Sequence, residues 1–280
     1  MTVAGTLYLV ATPIGNLEDI TPRAARILKE VSAIACEDTR RTRVLLEHLD
    51  VRTLIFSMHG HNERRRIPQI LAMLREGKDV AVVSDAGMPG VADPGGALAA
   101  AASRAGVRVM PIPGPSAVTA AVALVDFPAE RFAFVGFLPR RRAERRRMLT
   151  SLASLPMALV AFEAPHRVHE ALADIEEILG ARRMILAREL TKVHEEVLRG
   201  TAADIRAALA DEPRGEITLV VEGGAGSDAT PALQPDVFLE RLLAQGLSRR
   251  DAARALAVAY NLPSREAYRL AVEKGTPGED

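Results

Sequence analysis

The residues able to do chemistry gather in short polar clusters, each beside an apolar run: TPIGN (12–16), CEDTR (36–40), SDAGMPG (84–90), PGPSA (113–117), FEAPHR (162–167), ARELTKVHEE (187–196) and RGE (214–216). The most informative stretch is DVAVVSDAGMPGVADPG (79–95), where the apolar run from Val80 to Val83 delivers the chain to Asp85 and a succession of glycines and prolines. A buried strand ending in such a loop holds a carboxylate in a fixed place. Glycine at Gly87 and Gly90 lets backbone approach a ligand without an intervening Cβ. Taken singly, each cluster is also ordinary loop chemistry, since Asp and Ser cap helices while Gly and Pro make turns. Taken together, such loops at the carboxyl ends of strands in two domains imply a cleft lined from both sides. Its ligand would be recognised through backbone groups and one or two carboxylates.

Several other chemistries lack their signatures. No G-x-G-x-x-G follows the first apolar run, and no G-x-x-x-x-G-K-[ST] occurs, which argues against dinucleotide and P-loop sites. There is no G-x-S-x-G elbow for an acyl-transfer serine. The close histidine pairs, His59 with His61 and His166 with His169, lack the carboxylate or cysteine spacing of a zinc site, so no metal is expected. The lone Cys36 excludes a disulfide framework and suits a reducing cytoplasm. Lys+Arg and Asp+Glu both number 36, which rules out a uniformly basic coat but not a local basic patch. MTVAGTLYLVATPIG has neither the basic start nor the long apolar stretch of a signal peptide, and no uninterrupted apolar window of about 18 residues suits a membrane span. The expectation is a soluble, cytoplasmic protein.

The elements that must hold these clusters follow from periodicity. At 280 residues, the chain suits one large or two medium domains, and 48% hydrophobic with only 4% aromatic residues requires an aliphatic core. Short apolar runs alternating with amphipathic segments predict a mainly parallel α/β fold. TLYLVAT, AIACED, TLIFSM, VAVVSD and VRVMPIP are the strands of the first half; Thr21 and Pro22 start a helix, and Pro68 bends or restarts another. RFAFVGFLP, MALVAFEA, RRMILAREL and GEITLVVEG are four strands of the second half. A boundary near Gly114 gives α/β domains at 1–113 and 114–225. GGAGSDATPALQP (223–235) reads as a linker. Residues 233–280 then form a helix-turn-helix-like segment, with Ser248 and Ser264 capping its second and third helices.

LYLVATPIGNLEDIT, ACEDTRRTRVLL, VSDAGMPGVADPG, PIPGPSA, FEAPHR and ARELTKVHEE, in that order, resemble the tetrapyrrole methylase superfamily of S-adenosylmethionine-dependent methyltransferases. PGPSA is shared across that superfamily, whereas ATPIGN, EDTR, EAPHR and RELTK point to its branch that methylates a cytidine ribose 2′-hydroxyl in 16S rRNA. The resemblance implies two α/β domains with the methyl donor in the cleft between them, a homodimer, and 16S rRNA within the 30S subunit as partner. It also implies that Pro13, Asp85, Met88, Ser116, Ala117, Phe162, Ala164 and Leu190 line the donor pocket.

A ribose hydroxyl is a poor nucleophile at neutral pH and benefits from a base or cation beside it. Glu163, His166, Lys192 and Glu196 are the candidates for that role, with Glu37, Asp38 and Glu195 behind them. Arg40, Arg167 and Arg188 suit phosphate. PRRRAERRRMLT (139–150) sets Arg140, Arg141, Arg142, Arg145, Arg146 and Arg147 against the single acid Glu144, a candidate grip on an RNA backbone. Arg249 and Arg250 add basic positions on the C-terminal helices. Two rival readings remain: a porphyrinoid C-methyltransferase of the same fold, and a non-catalytic RNA-binding or ribosome-assembly factor.

Overall fold

The first half alternates strand and helix: β1 (Thr6–Val10), α1 (Pro22–Glu30), β2 (Ala33–Cys36), α2 (Thr39–His48), β3 (Leu54–Ser57), α3 (Glu63–Arg75), β4 (Val80–Val83), α4 (Gly96–Arg104) and β5 (Arg108–Ile112). Local chemistry sets the starts of the first two helices. Thr21 Oγ1 accepts the Ala24 N–H at 3.1 Å with Pro22 in the first turn, and the Asp38 carboxylate accepts the Arg40 N–H at 2.8 Å. Pro68 sits inside α3, which continues through it.

These strands form an all-parallel sheet of order β3-β2-β4-β1-β5. Its faces separate by the two-residue period of a strand: Ala81 and Val83 of β4 pack with Leu28, Leu45 and Leu46, while Val80 and Val82 pack with Ile70, Leu74 and Leu98. Burying each of these larger aliphatic side chains contributes roughly 1.5–3 kcal/mol. The chain leaves β1 and β4 in opposite directions across the sheet. That arrangement opens a crevice at their carboxyl ends, where open α/β sheets bind ligands.

After the short α5 (Ala117–Val122), the second half comprises β6 (Phe132–Phe137), α6 (Arg142–Leu152), β7 (Ala158–Glu163), α7 (Val168–Leu179), β8 (Met184–Arg188), β9 (Glu196–Gly200), α8 (Ala202–Ala208) and β10 (Ile217–Val221). The sheet order is β6-β7-β10-β8-β9, and only β6 and β7 are parallel. This corrects the expectation of a mainly parallel fold for this half. β8 and β9 form a hairpin rather than a crossover, and β9 is a fifth strand where the sequence predicted four. Ile14, Val118, Ala121 and Phe127 pack with Val160, Ile185 and Val220, so α5 and the loop after β1 share this sheet's core.

The structure, a computed structural model, describes residues 4–224, 235–244, 247–260 and 262–273. Both sheets belong to one compact unit, Met1–Ala153 with Met157–Gly223; Ser154–Pro156 and the chain from Gly224 form a second. Most of the proposed linker, with the boundaries at 225 and 233, lies outside the described residues. The second unit contains α9 (Pro235–Ala244), α10 (Arg249–Ala259) and α11 (Ser264–Glu273) around a small core of its own, with Leu239, Ala252, Leu256, Ala267 and Ala271 buried. Ser248 accepts the Asp251 N–H as a cap, whereas Ser264 is already the first residue of α11. Among the described residues, no helix is long and apolar enough to cross a membrane.

Because each unit has its own core, a chain ending at Gly224 is expected to keep a single cooperative thermal transition. Differential scanning calorimetry checks this; loss of the transition would mean that the first unit depends on the second.

Candidate functional site

The crevice is built by tying two loops together. Beyond β1, Thr12 and Gly87 exchange backbone hydrogen bonds of 2.9 and 3.0 Å, and the Thr12 hydroxyl donates to the Ser84 carbonyl at 3.1 Å. Gly87 lies at φ +77°, yet an added Cβ would meet nothing closer than 3.7 Å. The glycine is therefore required for its left-handed backbone rather than for space. Asp85 Oδ1 accepts the Asp38 N–H at 3.0 Å, and its Oδ2 lies 3.6 Å from Arg41 Nη1. The carboxylate thus fixes the loop after β4 to the start of α2.

Between these loops and the second sheet lies a cavity of about 400 Å³, within the range of small-molecule sites. Asp85, Met88, Ser116, Ala117, Phe162 and Ala164 line it. Of the other proposed donor residues, Pro13 lines a smaller adjoining recess with Asp85, and Leu190 is buried in the core beneath. Glu37, Asp93, Glu163 and Glu216 join Asp85 on the wall, against the single cation Arg41. Burial, reinforced by the charges of Glu37 and Asp85, pushes the Asp93 carboxyl up to about 6. Burial likewise raises Glu37. Such crowding of acids suits a cationic ligand. The sequence clusters contained Asp93 and Glu216, but nothing in their spacing singled either out.

A second cavity, of about 440 Å³, is lined by Phe137, Leu138, Arg140, Ala164, His166 and Arg167. Phe137 and Ala164 line both cavities, so the two adjoin. Glu163 is buried at the first: Oε1 accepts the Ala164 N–H at 2.6 Å and meets Arg167 Nη2, while Oε2 is buried without a hydrogen-bond partner. Burial raises its pKa against the pull of the Ala164 N–H and the Arg167 charge.

The remaining candidates lie elsewhere. Lys192 Nζ pairs with Glu189 at 2.7 Å and reaches Glu216 at 3.5 Å, one residue back from the first cavity. Glu196 faces Arg188 across β8 and β9 in a 2.5 Å ion pair, a cross-strand contact that stabilises the sheet edge. Neither Lys192 nor Glu196 lines either cavity.

The arginine cluster divides. α7 presents Glu170, Asp174 and Glu177 at helical spacing, and Arg142, Arg145 and Arg146 pair with them. Arg145 and Asp174 have fully buried side chains, 2.8 Å apart. Arg145 therefore holds α6 on α7 and cannot meet RNA, which corrects its assignment; Arg142 and Arg146 share the same carboxylate. Arg141 pairs with Glu144. Arg140 and Arg147 are exposed and have no ion pair among the described residues. Arg40 is exposed and pairs with Asp38 at 2.6 Å, holding that carboxyl down at about 2. Arg249 and Arg250 are exposed in the first turn of α10.

Comparison with known proteins gives four findings. The profile of the family Tetrapyrrole (Corrin/Porphyrin) Methylases matches residues 6–206. A Synechocystis sp. protein named Ribosomal RNA small subunit methyltransferase I is 43% identical over 278 residues, 98% of this chain and 100% of that one. One of the same name from Thermotoga maritima is 49% identical over 220 residues, 78% of this chain and 99% of its own. The solved uroporphyrin-III C-methyltransferase of Thermus thermophilus, complexed with S-adenosyl homocysteine, shares the fold at a TM-score of 0.57 and 19% identity, covering 80% of this chain and 99% of its own.

Proposed function

The chain belongs to the tetrapyrrole methylase family, and from that membership we propose that it uses S-adenosylmethionine to methylate a cytidine ribose 2′-hydroxyl in small-subunit ribosomal RNA. The observation that carries this reading is the near full-length similarity to proteins named for small-subunit rRNA methylation. In this reading the substrate is 16S rRNA within the 30S subunit and the enzyme is a homodimer, as the resemblance implies, and it works in the cytoplasm, which the lone Cys36 suits. The arginines of the second cavity suit an anionic acceptor, a property that RNA shares with a polycarboxylate tetrapyrrole, and the relatives' names favour RNA.

The first cavity fits the donor chemically, because its carboxylates face a molecule that carries an ammonium and a sulfonium. Asp85 and Asp93 would meet these charges, Met88 and Phe162 the apolar surface, and the backbone around Gly87 and Ser116 the remaining polar groups. When bound, the donor supplies a methyl group already activated by sulfonium. The chain's task is alignment and exclusion of water. Glu163, sealed against Arg167, positions that guanidinium. Among the four candidate bases His166 alone stands on the wall of the second cavity, and this supports it as the group that takes the acceptor's proton.

The Thermotoga maritima relative carries the same name over 220 matched residues, roughly the extent of the first unit. A relative of that length carrying the name supports placing the RNA contacts that matter for chemistry in the first unit. Incubating the protein and labelled S-adenosylmethionine with unmethylated 30S subunits, and separately with a uroporphyrin-III-type tetrapyrrole, tests the reading. Label should enter only the rRNA; label in the tetrapyrrole alone would overturn it.

The donor site should also respond to pH. Asp93 is protonated below about pH 6 and charged above it, so the cavity loses a negative charge as the solution is acidified. Affinity for the cationic donor is expected to be steady at neutral pH and to fall as pH drops through about 6. Calorimetry across that range checks it, and Asp93→Asn should remove the step. A step that survives in that variant would assign the titration to another group.

A further inference from the structure

RFAFVGFLP brings a phenylalanine to the boundary of the two cavities by an irregular route. Strict alternation along β6 would place Phe134 and Phe137 on opposite faces. In the structure, Phe134 stands opposite Val160 and Phe137 opposite Phe162, so β6 carries one residue more than β7 between these pairs. Gly136 absorbs it at φ +71°, and an added Cβ there would touch nothing within 4 Å. The glycine is required by its backbone angle alone, and bulges of this kind re-aim the side chain that follows. Phe137 consequently joins Phe134 and Phe162 in an edge-to-face row, with ring centroids 4.9 and 5.5 Å apart.

This redirection buries little. Phe137 remains 53% exposed in a chain with only seven phenylalanines. Two arginines share its cavity: Arg140 has no ion pair among the described residues, and Arg167 pairs with Glu163 through Nη2 while its Nε and Nη1 are buried without hydrogen-bond partners. Arg140 is therefore the cation of this wall with no carboxylate partner among the described residues, while Arg167, its charge matched by Glu163, keeps two unused N–H donors. An open aromatic ring beside such cations matches the way single-stranded nucleic acid is held, with bases on aromatic rings and backbone phosphates on cations.

The geometry points to a nucleotide subsite in the second cavity: one base of a single-stranded RNA segment stacks on Phe137, and its neighbouring phosphate is met by Arg140 and Arg167. The ribose of that segment is thereby turned toward the donor cavity, which shares Phe137 and Ala164. This inference deepens the functional reading above and rests on it for the identity of the RNA.

Phe137→Ala, Phe137→Tyr and Arg140→Ser test it by three measurements: methyl transfer to unmethylated 30S subunits, calorimetric binding of S-adenosylmethionine, and anisotropy of a labelled cytidine-rich single-stranded oligoribonucleotide. Phe137→Ala should weaken oligonucleotide binding and lower kcat/KM for 30S subunits, each by about ten- to a hundredfold. Because Phe137 also lines the donor cavity, donor affinity should fall by clearly less than RNA binding in Phe137→Ala. Arg140→Ser, which lines only the second cavity, should keep donor affinity within about twofold, and Phe137→Tyr should restore both RNA losses. Arg140→Ser should reduce the salt slope of oligonucleotide binding by about 0.7. Wild-type binding by Phe137→Ala, or a loss of donor affinity as large as the loss of RNA binding, would overturn the subsite. If the wild-type protein leaves 30S subunits unmethylated while the binding effects stand, the functional reading fails and the subsite survives.

Discussion

Replacing Asp174 by alanine is expected to destabilise the first unit by about 3–5 kcal/mol, because it leaves buried Arg145 with only the exposed Glu170 carboxylate at 3.5 Å. For a unit of this size the melting temperature should fall by about 6–20 °C. Burial would raise the Asp174 carboxyl, but hydrogen bonds from Arg142, Arg145 and Arg146 outweigh it and hold the pKa below the ordinary value. The pair's contribution is therefore present above the usual carboxylate range, near pH 4, and is lost as pH falls through the depressed value. Replacing both partners, as in Arg145→Met with Asp174→Leu, should recover much of the loss, since a well-packed apolar pair often equals a buried ion pair. Thermal denaturation of both variants checks this. A single variant as stable as the parent would show that Arg145 finds another route to solvent or charge.

The second large effect concerns donor binding. Asp85→Ala removes a cavity carboxylate together with the acceptor for the Asp38 N–H. Losing a charge-assisted hydrogen bond costs about 1.5–3 kcal/mol, so affinity for S-adenosylmethionine should weaken about ten- to a hundredfold. Calorimetry on the folded variant decides it. Unchanged affinity would leave Asp85 as a tie between two loops and nothing more.

How far the sequence announces this architecture depends on what each element shows locally. The first sheet is legible because its strands alternate with helices of ordinary length, and Thr21 with Pro22 marks a helix start on the correct residues. The β8–β9 hairpin is hidden. Its connection turns through Glu189 at φ 52° and Thr191 at φ 69°, where turn chemistry leads one to look for glycine or asparagine. Without that signal, ELTKVHEE reads as a loop and β9 disappears into it.

The arginine cluster is misleading for a different reason. Counting charges over residues 139–150 ignores the acids at Glu170, Asp174 and Glu177, which come near only when α6 and α7 pack. Three of its six arginines brace α6 on α7, Arg141 pairs with Glu144, and Arg140 and Arg147 have no ion pair among the described residues. Phe137 eluded the sequence reading because only a bulge at Gly136 brings it onto the face of Phe134. The position of Asp85, at a strand end and on a cavity wall, is by contrast legible from the strand and loop that flank it.

The most direct measurement identifies the modified nucleoside. Unmethylated 30S subunits are incubated with the protein and isotopically labelled S-adenosylmethionine; the rRNA is then digested to nucleosides and resolved by mass spectrometry. All the label should appear in 2′-O-methylcytidine, at a single site in the small-subunit rRNA. Label on a base, or rRNA without label while the protein still binds the donor, would contradict a ribose 2′-O-methyltransferase.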